Sequence, residues 1–417
     1  MAFTRLGEKF TRDSGILQLM QDLGDAVSGG SDVIMLGGGN PSHIPAVQQI
    51  FRERMAAILA NGNEFEHLVG DYDPPGGNPA FREAVAALLS EQYGWPVTER
   101  NIALTNGSQT AFFYLFNLFG GENAAGEKKR ILLPLAPEYI GYVDAGVGDD
   151  IFVASKPQFQ FLDEHTFKYR VDFDALEIDE SINAICVSRP TNPTGNVLTD
   201  GEIQKLRALA HEHNIPLIID NAYGAPFPNI LFEDVTPVWD ERIVLCLSLS
   251  KLGLPGVRTG IIVASEQIAS AVASMNAIVS LAPTSFGAGL ARELVRSGEI
   301  IDIGRELIRP YYRQRAAIAE EWVWESLGNS PFYLHKPEGA FFFWLWFKDL
   351  PIGCGELYDR LKQRGVLIVP GRYFYPGLTE AWDHKGECIR MNYTADEAKV
   401  REGIRIIGEE VKRAYAG

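Results

Sequence analysis

Cysteine is scarce. Cys186, Cys246, Cys354 and Cys388 stand far apart and form no CxxC pair, so neither a zinc site nor a disulfide framework is suggested. Cys186 and Cys246 fall inside apolar runs and read as inert core residues. Positive charge is short as well. The 38 Lys and Arg face 54 Asp and Glu, a formal charge of -16, which argues against a nucleic-acid partner, whose phosphates demand basic patches. No run approaches the ~18 apolar residues of a membrane span. The opening MAFTRLGEKFTRDSG has no signal-peptide core. Internal repeats and low-complexity segments are missing too. These absences leave an acidic soluble enzyme of a reducing cytoplasm, with no membrane and no metal.

What is present is enough apolar residue, 46% of 417, to build more than one core, and the length fits two domains of unequal size. Three short apolar runs read as buried strands, each ending in polar residues: INAICV before SRPTNPTGN, IPLII before DNAYG, and RIVLCL before SLSKLGLPGVRTG. In an open α/β sheet ligands bind beyond the carboxyl ends of the strands. Asn192, Asp220, Tyr223, Ser248 and Lys251 all fall there. A lysine amine desolvated beside hydroxyls and Arg258 has the character of a Schiff-base former, whereas alone it would read as a surface lysine in a turn.

The combination of NPTG, DxxY, SxSK and a following GxR resembles the class I and II aminotransferases, built on pyridoxal 5'-phosphate (PLP), from about residue 33 to the C-terminus. The resemblance implies fold type I: a large domain with a mainly parallel seven-stranded sheet between helices, and a small α/β domain. The expected division is 1–45 joining the small domain, 46–300 the large PLP-binding domain, and 301–417 the small domain. It implies that Lys251 carries the cofactor and moves the proton, that Asp220 faces the pyridine nitrogen, and that Tyr223 and Asn192 bind the phenolic oxygen. Arg390, in IRMNY, matches the arginine that clamps the substrate carboxylate. As a bare residue it would be a surface ion pair.

Other segments follow the same order. NGSQTAFFYLFNLF reads as a turn and a helix, and the free N–H groups of Gly107, Ser108 and Gln109 at its start suit a phosphate, or else Ser108 simply caps the helix. Ser248 and Arg258 are expected to join them. The interval from Lys251 to Arg258 is one residue shorter than in most of the family, so the loop must take another path. Tyr139, in LAPEYIGY, is expected to stack on the cofactor ring, with Tyr142 packing. Gly38 and Gly39, in a glycine run that is not a GxGxxG fingerprint, are expected near the substrate carboxylate. Ile16 and Leu17 are expected against the substrate side chain, or in a packed amphipathic helix. The resemblance further implies a homodimer in which Tyr72 crosses to the other subunit's cofactor phosphate. It also marks Ala136-Pro137 and Asn192-Pro193 as candidate cis bonds. Arg189 stands where the family commonly has asparagine, and could touch the site or brace the loop.

The stretch 276–290, NAIVSLAPTSFGAGL, offers no second arginine for a side-chain carboxylate, which leans toward neutral substrates. Within the family, LTNGSQTAFFYLFNLF, CVSRPTNPTGN and SLSKLGLPG resemble members that exchange the amino group between L-valine and pyruvate. The rivals are an aminotransferase for other neutral or aromatic amino acids and a β-lyase of the same fold. A PLP-binding transcriptional regulator would need a DNA-binding region, and the motifs begin within the first forty residues.

Overall fold

The computed structural model describes residues 2–12, 15, 17, 21, 24 and 33–417. The apolar runs become neighbours in one sheet, in the order Ile102–Thr105, Gly260–Val263, Ile243–Ser248, Leu217–Asp220, Ile182–Ser188 and Lys128–Leu133. Phe152–Ala154 lies parallel and Gly121–Glu122 antiparallel beside the last of these. The sheet thus has eight strands, one more than the seven expected, because the two-residue Gly121–Glu122 is too short to leave a sequence signal. The central pairs are parallel, and Gly260–Val263 alone among the long strands runs against both neighbours. Parallel strands covered on both faces read as unbroken apolar runs, as ICV and LII do here.

Covering helices start and stop where their caps dictate. Thr199 and Glu202 form a capping box at the head of Asp200–Glu212, while Asn78 caps Pro79–Tyr93 and Gly94 ends it in the left-handed conformation. Register then sets the level of the site. Asp220 pairs with Ser188 on one side and Cys246 on the other. Ser248 pairs with Gly260, itself opposite Thr105. The strand ends are therefore level, and the residues just beyond them share one edge of the sheet.

A second sheet of six strands runs Val369–Pro370, Cys388–Asn392, Phe342–Phe347, Phe332–His335, Thr166–Arg170, Gln158–Phe161. Two of its strands come from residues 158–170, in mid-chain, inside a stretch to which the sequence reading gave no element. Their signal was the alternation in QFQF and TFKYR, which turns Phe167 and Tyr169 inward to a ring contact of 5.0 Å. Ile34–Met35 pairs parallel with Val366–Leu367, tying the N-terminal part to the C-terminal part.

The helical pattern expected from Glu299 to Trp324 is continuous but not uniform. Glu299–Asp302 leads through a π-helical turn, Ile303–Ile308, into Arg309–Leu327. Pro310 has no N–H to give and its ring crowds the preceding turn, so the ladder widens just before it. Among the described residues no helix is long and apolar enough to cross a membrane. All four cysteines are buried and free.

Candidate active site

Lys251 sits on a single tight turn, Ser250–Leu252, directly after the strand Ile243–Ser248, and Gly253 closes the turn with φ of 110°. Its Nζ donates to the Gly39 carbonyl at 2.6 Å. It lies 5.3 Å from the Tyr223 ring centroid and 5.5 Å from that of Phe341. Burial, and then the positive charges of Arg390 and Arg258, push the amine down to about 8, with Asp220 pulling the other way. On the adjacent strand, Asp220 accepts from the Tyr142 hydroxyl at 2.7 Å and from the Ala222 N–H at 3.0 Å. Burial raises its carboxyl, and those two donors and Lys251 counter the rise.

Arg390 faces this pair from the second sheet. It is 2% exposed, with its guanidinium carbon 4.4 Å from the Phe342 ring centroid and 5.2 Å from that of Phe374. Nη1 donates to Asn192 Oδ1 at 2.7 Å and Nη2 to the Gly37 carbonyl at 2.5 Å, while Nε is buried with no partner. Among the described residues no carboxylate pairs with it, and burial draws the guanidinium down to about 10. A buried cation without a counter-ion is costly, and an arriving carboxylate relieves that cost. Tyr223, 5% exposed, packs its ring on Phe341 and Phe342, and burial holds its phenol well above the usual range.

The glycine run threads between these groups. Gly37 O takes Arg390, Gly38 O takes Asn392 Nδ2 at 2.8 Å, and Gly39 O takes Lys251. Gly37 tolerates this approach because it lacks a side chain: a Cβ there would meet the Ile368 carbonyl at 3.0 Å.

An anion cradle lies on the other side of Lys251. The helix Ser108–Phe119 begins after Gly107, at φ 85° and ψ 162°. The first N–H to find a helical acceptor is that of Thr110, on the Gly107 carbonyl at 3.1 Å, which leaves those of Ser108 and Gln109 facing outward. A Cβ on Gly107 would stand 2.1 Å from Arg258 Nη2, so the guanidinium lies across the helix start. The shortened interval is absorbed by two compact turns, Ser250–Leu252 and Pro255–Val257, with Arg258 itself at φ 51°. Ser248 Oγ, fully buried, accepts from the Ser250 N–H at 3.1 Å. The Gln109 side chain turns away and donates to the Gly141 carbonyl at 3.0 Å, so only its backbone faces the cradle.

Tyr72, expected to reach the other subunit's site, lies outside this recess. Tyr72 is 85% exposed and borders a separate surface groove with Val69, Asn106 and Pro283. Leu17 is exposed, and Ile16 lies outside the described residues. Ala136-Pro137 is cis as expected, but the second cis bond of this region is Arg189-Pro190 and not Asn192-Pro193. Arg189 does not touch the site. It donates to Leu198 O at 2.7 Å, Thr236 O at 3.2 Å and Asp200 Oδ1 at 2.6 Å, and so braces the loop.

Two residues escaped the sequence reading. Tyr142, expected only to pack, holds Asp220 through its hydroxyl, and Glu138, beside Tyr139, is buried at 1% exposure. A glutamate in an apolar run, PLAPEYIGY, was the available signal. Beside Lys251 there is also a cavity of about 200 Å³ lined by Ile44, Val47, Phe51 and Leu252 together with the polar Asn40, His43 and Gln48.

Comparison with known proteins places this geometry in context. A family model described as aminotransferase class I and II matches residues 31–407. Valine-pyruvate aminotransferase of Escherichia coli (strain K12) is 50% identical over 416 residues, covering 100% of this chain and 99% of its own. The crystal structure of a valine-pyruvate aminotransferase from Salmonella typhimurium LT2 superposes with a TM-score of 0.89 at 49% identity, over 96% of this chain and 99% of that one. That of a putative amino-acid aminotransferase from Psychrobacter arcticum 273-4 superposes with a TM-score of 0.97 at 49% identity, over 100% of both chains.

Proposed function

The chain belongs to the class I and II aminotransferases, and we propose that it exchanges the amino group between L-valine and pyruvate, giving 3-methyl-2-oxobutanoate and L-alanine. The observation that carries the reading is Arg390, buried without a counter-ion among the described residues, across from a lysine amine held near 8. The names of the relatives at 50% and 49% identity support the substrate pair. So do the apolar side chains Ile44, Val47 and Phe51 in the cavity beside Lys251 and the stretch 276–290, which holds no basic residue.

Enzymes of this fold type I family depend on PLP, and the residues present fit it. An anion cradle with outward N–H groups, a depressed lysine amine and a deep carboxylate lie in one recess. Gly107, Ser108, the backbone of Gln109, Ser248 and Arg258 would hold the phosphate. Tyr139 would stack on the ring, Asn192 and Tyr223 would bind its phenolic oxygen, and Asp220 would keep its nitrogen protonated. When bound, PLP supplies the electron sink that makes the α-proton of an amino acid acidic.

The protein's own groups do the rest. Arg390 and Asn192, with the Gly38 and Gly39 backbone alongside, would take the α-carboxylate and so aim the α-hydrogen at Lys251. Lys251 Nζ, poised near neutrality, accepts the proton from the α-carbon of valine. As its conjugate acid it returns one to the α-carbon that becomes alanine's. The rings of Tyr223 and Phe341 flank the amine. Aminotransferases of this fold are typically dimers, and we propose that Tyr72 and the cover expected from Ile16 and Leu17 complete the site in a homodimer.

The test is to supply the PLP-loaded protein with L-valine and pyruvate and to quantify both products by chromatography. Equimolar L-alanine and 3-methyl-2-oxobutanoate are expected. Pyruvate and ammonia formed from an amino acid without an acceptor would assign a lyase instead. Alanine formed from another donor but not from valine would overturn the substrate pair.

A further inference from the structure

The mechanism above leaves one buried acid unused. Glu138 lies in the turn after Lys128–Leu133, and its backbone N–H donates to the Phe374 carbonyl at 2.8 Å, next to the ring that flanks Arg390. Its carboxyl accepts from the Ser188 N–H at 3.0 Å and from the Tyr139 N–H at 3.3 Å, and lies 2.6 Å from Ser188 Oγ. Ser188 Oγ is in turn 3.5 Å from the Tyr142 hydroxyl, which donates to Asp220 at 2.7 Å. The strand register that pairs Ser188 with Asp220 is what brings the two carboxyls to opposite ends of this chain of hydroxyls.

No cation pairs with Glu138 among the described residues. The titratable groups that face it are Tyr139 and Tyr142 from its own turn, Cys186 and, through Ser188, Asp220 from the strands. The charges of Arg390 and Arg258 act on Tyr139, and that of Lys251 on Asp220. Two ionised carboxylates in so dry a place, with no cation paired to Glu138 among the described residues, would repel each other with little screening. One proton between them removes that conflict.

We propose that Glu138 and Asp220 share a single proton through Ser188 and Tyr142, with Glu138 holding it while Asp220 carries the charge. Glu138 is then a positioning residue that acts on the site through Asp220. The transfer balances. The Glu138 proton passes to Ser188 Oγ, the Ser188 proton to the Tyr142 oxygen, and the Tyr142 proton to Asp220 Oδ2. Three O–H bonds break, three form, and one proton has moved along the chain. Burial above all, with Asp220 adding to it, lifts the Glu138 carboxyl to about 8, so that it is protonated at neutral pH. The proposal is independent of which amino acid the enzyme takes.

Infrared difference spectroscopy on the purified, PLP-loaded protein tests it without any substrate. Wild type minus Glu138→Gln at pH 7 should contain the C=O stretch of a buried neutral carboxyl, and the band should fade as the pH rises through about 8. No such band at pH 7, or one that survives in Glu138→Gln, would overturn the proposal. Ser188→Ala keeps both carboxyls and cuts the hydroxyl chain. It should shift the band's pH midpoint by about one unit, the scale of a lost charge-assisted hydrogen bond. A midpoint that stays in place would show that the two acids do not share the proton.

Discussion

Gly107 offers the sharpest test of the anion cradle, because one added methyl should act on two measurable quantities separately. Its φ of 85° and ψ of 162° lie in a region open almost only to glycine. Alanine there should lower the stability of the cofactor-free protein by about 1–3 kcal/mol. The new Cβ would also stand 2.1 Å from Arg258 Nη2 and 2.7 Å from its Cζ, so the guanidinium must leave the helix start. The backbone strain is present with or without PLP and cancels from the binding equilibrium. Loss of the Arg258 contact does not cancel. A hydrogen bond to a charged group contributes about 1.5–3 kcal/mol, so Gly107→Ala should weaken PLP binding roughly 10- to 150-fold. Equilibrium dialysis of the apoprotein against PLP measures this, and urea unfolding of the apoprotein measures the strain. The double variant with Arg258→Ala should bind PLP about as weakly as Arg258→Ala alone, since both act through one contact. Unchanged PLP affinity in Gly107→Ala, or penalties that simply add, would refute the reasoning.

Arg189→Ala should leave the Michaelis constant for the amino donor unchanged and destabilise the fold by at least about 2 kcal/mol, because two carbonyls, Leu198 O and Thr236 O, lose their donor. The reverse pattern in urea unfolding and steady-state kinetics would put this arginine in the site. For Lys251 the pH dependence has a definite sign: its folded value, about 8, lies below the ordinary 10.5, so between the two the unfolded chain binds more protons and stability rises with pH. Below about 8 the cost of burying the charged amine is fully present. Apoprotein carrying Lys251→Met should therefore gain most over wild type at pH 7 and little near pH 10.5, and a gain independent of pH would contradict the depressed amine.

The sequence made the central strands and their polar ends legible because burial on both faces leaves unbroken apolar runs, and because NPTG, DxxY and SxSK each end one. Lys251, Asp220, Tyr223, Asn192 and Arg390 do converge, although they are drawn from two sheets and four strands or loops. The hairpin at 158–170 was missed for a different reason. Its alternation is short and lies among acidic residues, and its inward face meets an aromatic cluster that distant residues, among them His335, Trp346, Trp382 and His384, complete. Tyr142 and Glu138 were misjudged or passed over because a tyrosine in an apolar run has a bland explanation, and a glutamate's burial depends on strands that arrive 50 residues later.

The glycine run shows why such a site is only half written in residue types. Three consecutive carbonyls, of Gly37, Gly38 and Gly39, accept from Arg390, Asn392 and Lys251 in turn. Every residue has a carbonyl, so no side-chain pattern announces this role. The glycines reveal only that something passes close by. Yet these three bonds fix the N-terminal strand to Lys251 of the first sheet and to Arg390 and Asn392 of the second. Movement of that turn would change the surroundings of the amine and of the guanidinium together. Ser42 extends the same tie, with its N–H donating to the Tyr312 hydroxyl at 2.8 Å and its Oγ to the Thr394 carbonyl at 2.9 Å. The backbone of one short turn thereby couples the group that moves the proton to the group that would hold the substrate.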